Sequence, residues 1–117
     1  MAAVRRGLTI EKKTKFYQEL QILLADGTGK NLVGKKIACR IKESYSTEEL
    51  LHDLTEANGG VNLIDDVTGT FALYIPADET DNDALTAVYE IIEINEEFVE
   101  EETEKAMYGK INYIKGV

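Results

Sequence analysis

Residues 65–76, Asp-Asp-Val-Thr-Gly-Thr-Phe-Ala-Leu-Tyr-Ile-Pro, constrain the fold more than any other stretch of the chain. Phe71, Leu73 and Ile75 alternate with Thr70, Ala72 and Tyr74, so the period is two and one apolar face must be covered, as in a strand packed on a core. Asp66 and Gly69 supply the turn that precedes it, because an aspartate bonds to nearby backbone and a glycine accepts positive φ. Pro76 has no N–H for a continuing ladder, so the strand is expected to stop at Ile75.

Other segments repeat this pattern. In residues 15–24, Phe16, Leu20, Ile22 and Leu24 share a face that also holds Gln18, opposite Tyr17, Glu19 and Gln21, which reads as an edge strand. In residues 36–42, Ile37, Cys39 and Ile41 point inward and Lys36, Ala38, Arg40 and Lys42 outward, giving a strand with a basic outer face. Residues 8–10 form a short strand, and Asn58-Gly59-Gly60 signals a hairpin into a strand at Val61 and Leu63, itself paired with residues 70–75. Residues 87–95 are apolar on both faces, Val88, Ile92 and Ile94 on one and Ala87, Tyr89 and Ile91 on the other, as in a strand at the centre of a sheet or beneath a partner. In the last strand Met107, Lys110 and Asn112 alternate with Tyr108, Ile111 and Tyr113 around Gly109, where a bulge or a close backbone approach is expected.

Two segments carry helical signals. Ser46-Thr47-Glu48-Glu49 resembles a capping box and predicts a brief helical turn over residues 47–51, followed by an extended piece through Leu54. Leu51, Asp53 and Thr55 also fit a short strand. After Pro76, residues 78–83 read as an acidic loop or a single helical turn; they lack the ligand order, central glycine and terminal glutamate of a calcium-binding EF-hand loop. Residues 1–7 lack apolar periodicity and are read as a flexible N-terminal arm, with residues 8–117 as one domain.

The side chains that carry chemistry are few. Cys39 is the only cysteine and His52 the only histidine, so an internal disulfide and the usual structural zinc sets are excluded. Between two isoleucines, Cys39 is expected to be core with a raised thiol pKa rather than a nucleophile. Gly29 to Gly34-Lys35 nearly offers phosphate-loop spacing, but Lys36 stands where a hydroxyl is needed and a strand follows instead of a helix. No catalytic, cofactor-binding or metal-ligating residues are assigned.

A chain of 117 residues suits a single core, and no apolar run approaches the roughly 18 residues of a membrane span. Thirteen basic against 22 acidic residues give a net charge of −9, which repels phosphate backbones and anionic lipid, so neither nucleic acid nor membrane is an expected partner. Met1-Ala2-Ala3-Val4-Arg5-Arg6 precedes no long apolar segment, so synthesis and folding in a cytoplasm are expected. Glutamates crowd residues 96–104 around Phe98 and Val99. That pair, with a basic surface at Lys36, Arg40 and Lys42 to receive the acidic tip of a neighbouring copy, is the expected interaction site.

Together these segments predict an all-β fold, an immunoglobulin-like antiparallel β-sandwich of about seven strands with at most one short helical turn. The order Arg6-Gly7, Asp26-Gly27, Asn31-Leu32-Val33-Gly34-Lys35, Arg40-Ile41-Lys42, Val61-Asn62-Leu63-Ile64-Asp65, Thr68-Gly69-Thr70, Ile75-Pro76-Ala77-Asp78-Glu79-Thr80, Val88-Tyr89-Glu90-Ile91 and Tyr108-Gly109-Lys110-Ile111 resembles immunoglobulin-like virion modules of bacteriophages and prophages. These include the N-terminal domain of baseplate upper proteins and related tail-fibre or decoration domains. The resemblance implies a non-enzymatic structural protein of tail, baseplate or fibre, located in the virion and made in the host cytoplasm. It implies other virion proteins and further copies of itself as partners, and brings no catalytic or cofactor residues. The rival reading is a carbohydrate- or host-surface-binding module, for which Tyr17, Tyr45 and Tyr74 are the stacking platforms, in a chain without tryptophan.

Overall fold

The computed structural model describes residues 4–81, 86–95 and 102–115. Strand β7 (Thr70–Ile75) is the middle of a three-stranded antiparallel sheet, between β3 (Phe16–Gln21) and β6 (Val61–Asp65). Phe71, Leu73 and Ile75 are buried as their alternation requires. At the preceding turn Gly69 has φ of 75°. A Cβ there would lie 2.6 Å from the Lys30 carbonyl oxygen and 2.9 Å from that of Ile22, so backbone conformation and space both demand glycine. The side chain that organises the turn is Asp65, not Asp66. Its Oδ1 accepts from the backbone N–H groups of Val67 at 3.1 Å and Thr68 at 3.4 Å, the reach of an aspartate to residues two and three ahead.

The larger sheet is built on β9 (Glu102–Ile114), β8 (Thr86–Asn95) and β4 (Lys35–Lys42). Strand β5 (His52–Thr55) forms one edge and β1 (Val4–Arg5) the other, with β2 (Leu8–Glu11) also pairing to β9. Strands β5, β4, β8 and β9 run antiparallel in turn, and Cys39 stands opposite Leu54 on one side and Ile91 on the other. The inner faces of the two sheets meet in one cluster that includes Ile37, Cys39, Ile41, Tyr89, Ile91 and Ile111 from the large sheet with Phe16, Leu20, Phe71 and Leu73 from the small one. The result is a β-sandwich.

Several expectations are corrected. The sheet is mixed, not purely antiparallel, because β1 and β2 both run parallel to β9. Nine strands are described, more than the expected seven or so: β1 is too short to show a period, and β5 takes up the segment read both as an extended piece and as a short strand. Residues 4–6 of the expected loose arm belong to the sheet: Val4 pairs with Met107, Arg5 with Tyr108, and the Arg6 N–H donates to the Tyr108 carbonyl at 2.8 Å. Backbone bonding holds this segment while its side chains stay exposed, so hydrophobic periodicity carries no trace of it. Residues 1–3 lie outside the described residues.

The capping-box residues make no helical turn over residues 47–51. The Ser44 hydroxyl instead bonds those of Ser46 (3.1 Å) and Thr47 (2.8 Å) in a hydroxyl-stabilised turn, and the chain is extended again from His52. Among the described residues the one helical turn is α1 (Ala77–Thr80), just after Pro76. Thr80 is buried there, and its hydroxyl donates to the Thr14 carbonyl at 2.8 Å. Leu24, expected inward, is 41% exposed because β3 ends at Gln21 and Leu24 enters a turn in which its N–H donates to the Thr28 carbonyl. Asn58-Gly59-Gly60 does not close a hairpin. It carries the chain from β5 in the large sheet to β6 in the small one, with Asn58 Oδ1 accepting from the N–H groups of Thr55 and Gly60.

Candidate functional site

The outer face of the large sheet is the first candidate. Ile37, Cys39 and Ile41 point into the core, so Lys36, Arg40 and Lys42 fall together on the opposite face of β4, as their alternation predicts. Neighbouring strands extend the charge. Register places Arg40 between Glu90 and Asp53, and Lys42 beside Val88, whose partner on β9 is Lys110. Arg5 joins from β1 opposite Tyr108. Lys105 joins for a less obvious reason. Ile91 pairs with Met107 and Ile92 with Lys105, so Ala106 is an extra residue on β9, and this bulge turns Lys105 outward. Its ammonium then meets Glu90 at 2.8 Å and lies 5.7 Å from the Tyr108 ring centroid. The expected close approach at Gly109 is also present, but against the Arg6 backbone and separate from the bulge.

On a chain of net charge −9, cations thus outnumber carboxylates on this face. A shallow hollow between Arg40, Lys42, Tyr45, Val88 and Glu90 marks its centre, with Tyr45 half exposed at its rim. Phe98 and Val99, the apolar half of the expected interaction site, lie outside the described residues.

The second candidate is a cleft of about 250 Å³ where the edge of the large sheet meets the end of β7 and α1. Register opposite Ile41 puts His52 on the same face of β5 as buried Leu54, turned toward the space between the sheets. His52 lines the cleft with Asp53, Tyr74 and Glu79, and its Nε2 is buried without a hydrogen-bond partner. Burial lowers the imidazole pKa, and the nearby Glu79 carboxylate opposes this only in part. Of the tyrosines considered as platforms, Tyr74 borders this cleft and Tyr17 is its register partner on β3, with its hydroxyl donating to Glu19 at 3.2 Å.

A third polar feature lies at one end of the sandwich. Glu93 follows Ala87, Tyr89 and Ile91 on the inner face of β8 and is only 2% exposed. Lys30 donates to its Oε2 at 3.0 Å and Lys35 to its Oε1 at 3.3 Å, while Lys30 also lies 3.7 Å from Glu104. Burial acts to lower the Lys30 pKa, but the hydrogen bond and charge of Glu93 outweigh it and the net shift is upward. Lys30 and Lys35 of the near-phosphate-loop stretch are therefore both engaged by a carboxylate. Glu93 is absent from the sequence-derived sites although the same alternation, carried one step beyond Ile91, places it inward. Cys39 is buried as expected, and desolvation pushes its thiol pKa far up. Among the described residues no three of His, Cys, Asp and Glu converge in a metal-holding arrangement.

Comparison with solved structures finds a likeness over the whole chain. The fold is similar to that of the N-terminal domain of phage TP901-1 ORF48, with a TM-score of 0.54 over 99% of this chain and 86% of that one. Identity is 14%, so the likeness is one of fold. No protein-family model and no curated protein sequence matches the chain.

Proposed function

We propose that this protein is a non-enzymatic structural module of a bacteriophage or prophage virion, made in the host cytoplasm and acting through protein–protein contacts. The observation that carries this reading is the full-length likeness of fold to a phage protein domain, agreeing with the virion-module pattern of the turn and strand residues. Charge segregation supports the mode of contact. A basic face on an acidic chain favours the acidic surface of a neighbour, including another copy, and disfavours the same face of a second copy. Lys36, Arg40 and Lys42 are its central residues, and the glutamate-rich segment around Phe98 and Val99 is the complementary surface in this reading.

Two measurements test it. Immunolabelling and mass spectrometry of purified phage particles should find the chain in the particle; its presence only in the soluble fraction of a producing culture overturns the virion reading. Light scattering should show self-association that weakens with salt and is lost on reversing Lys36, Arg40 and Lys42 to glutamate. Association indifferent to both would place the contact elsewhere.

A further inference from the structure

We infer that the free edge of β3 is a self-pairing surface, by which two copies of this chain join β3 to β3, antiparallel about a two-fold axis at Gln18, into one continuous sheet. The backbone fixes which groups face that edge. The Ile22 N–H donates to the Gly69 carbonyl at 3.0 Å, one step beyond β3, while the Tyr74 N–H turns away from β3 to the Gly60 carbonyl at 2.9 Å. Bonding alternates along an antiparallel strand, so Phe16, Gln18 and Leu20 carry the bonds to β7, and Tyr17, Glu19 and Gln21 turn both backbone groups outward. The segment that follows does not cover them, since the Lys30 N–H returns to the Ile22 carbonyl on the β7 side. Among the described residues no backbone group bonds to that edge, and the one side-chain bond comes from Gln18 itself, whose amide donates to the Glu19 carbonyl at 3.0 Å.

The other edges of the sandwich are capped or broken. Asn58 caps β5, with Nδ2 donating to the Asp53 carbonyl at 2.6 Å and Oδ1 accepting from the Thr55 N–H at 3.0 Å. A bulge at Ile64 interrupts β6, and β1 and β2 are short pieces separated at Arg6 and Gly7. Strand β3 has six residues without a bulge, proline or lysine, the usual protections of an exposed edge, and Glu19 is its one charge. Its sequence then selects a second copy as the occupant. Outward residues must face outward residues, and centring on Gln18, the middle of residues 15–21, sets Tyr17 opposite Glu19, Phe16 opposite Leu20 and Lys15 opposite Gln21. No like charges face each other in that register. Centring on Glu19 would set two carboxylates face to face, and centring on Tyr17 would run into Lys13, where φ of 64° turns the chain. Such a two-fold contact uses the same patch on both copies and closes on itself, separate from the basic face of the large sheet.

The test is amide hydrogen exchange of the chain at low and high concentration, in about 1 M salt, where a screening length of roughly 3 Å suppresses contacts through the basic face. The N–H groups of Tyr17, Glu19 and Gln21 should gain protection several-fold with concentration, whereas those of Gln18 and Leu20, bonded to β7, should be protected throughout. Sedimentation should show a dimer that strengthens with salt, because two chains of net charge −9 repel. Glu19→Pro removes an outward donor that β7 does not use and should leave a folded monomer. Gln18→Lys sets two ammonium groups opposite each other at the axis and should do the same. A strict monomer, outward amides that exchange freely at the highest concentration, or a dimer that survives both substitutions overturns the inference. If neither variant folds, the exchange pattern of the wild type decides alone. Association through the basic face weakens with salt and protects no amide of β3, so that contact and this one fail separately.

Discussion

The Tyr89 hydroxyl donates to the Arg6 carbonyl at 2.6 Å. That single oxygen explains two residues, because a Cβ on Gly109 would fall on the same Arg6 carbonyl. The segment between β1 and β2 is thereby fixed against the inner face of the sheet by backbone pairing, by one buried phenol and by one missing side chain. Tyr89→Phe removes the donor and leaves the carbonyl, which should lower stability by about 1 kcal/mol in denaturant unfolding. Gly109→Ala should cost more, since the strand pair must separate to admit a methyl group. The same burial pushes the Tyr89 pKa up to about 12, so in an alkaline spectrophotometric titration this phenol should ionise after exposed tyrosines.

Cys39 is fully buried, opposite Leu54 and Ile91 in register. Cys39→Ser places a hydroxyl among hydrocarbon and should destabilise by about 1–3 kcal/mol. In the native protein a thiol reagent should label Cys39 only at the rate of unfolding, as its raised pKa also leaves almost no thiolate. Immediate stoichiometric labelling would contradict the burial.

Glu93 tests a different kind of contact. Its carboxylate receives Lys30 and Lys35 at 3.0 and 3.3 Å while itself almost wholly buried. Glu93→Gln leaves two ammonium groups facing a neutral amide and should destabilise by about 2 kcal/mol, below the usual loss for a fully buried pair because the lysines keep some solvent contact. Glu93→Leu, an apolar replacement, should be no better, since the lysines would lose their acceptor as well. Equal stability of wild type and Glu93→Gln across urea denaturation would show that the lysines simply turn outward to water.

The strands were legible where alternation is long and one face is apolar, as in residues 36–42, 70–75 and 87–91. Gly69 was legible for the same local reason, since a turn between two such strands demands positive φ. Strand β1 was not, because two exposed residues bonded through their backbone leave no side-chain pattern. Nor was the change of sheet at Gly59-Gly60: the turn signal is the same for a hairpin and for a crossover. What decides is close packing, since a Cβ on Gly60 would lie 2.8 Å from that of Leu54. The basic face was visible in Lys36, Arg40 and Lys42, but Lys105 joins it only through the bulge at Ala106, which shifts parity without a turn residue to announce it. The cleft was illegible for a simpler reason. Its walls come from residues 51–60 and 74–79, and their meeting is a property of how two sheets are stacked.

That stacking makes His52 a source of pH dependence. The charged group facing it across the cleft is Glu79 on α1, Asp53 being turned to the other face of β5 opposite Arg40; burial favours the neutral ring, the Glu79 charge favours the protonated one, and burial prevails. The folded-state pKa is therefore below the unfolded value, so as pH falls the unfolded chain takes up the proton first. Stability from this group is present above an unfolded pKa of about 6.5 and is lost progressively as pH falls from there through the lower folded-state value. Urea unfolding at a series of pH values should show wild type losing stability over this window faster than His52→Gln, which cannot titrate. Glu79→Gln should steepen the loss, because it removes the charge that helps the folded state accept the proton. Parallel stability profiles for wild type and His52→Gln between pH 7 and pH 5 would mean that the imidazole titrates as freely in the folded protein as in the unfolded chain, and that it does not face a desolvated cleft.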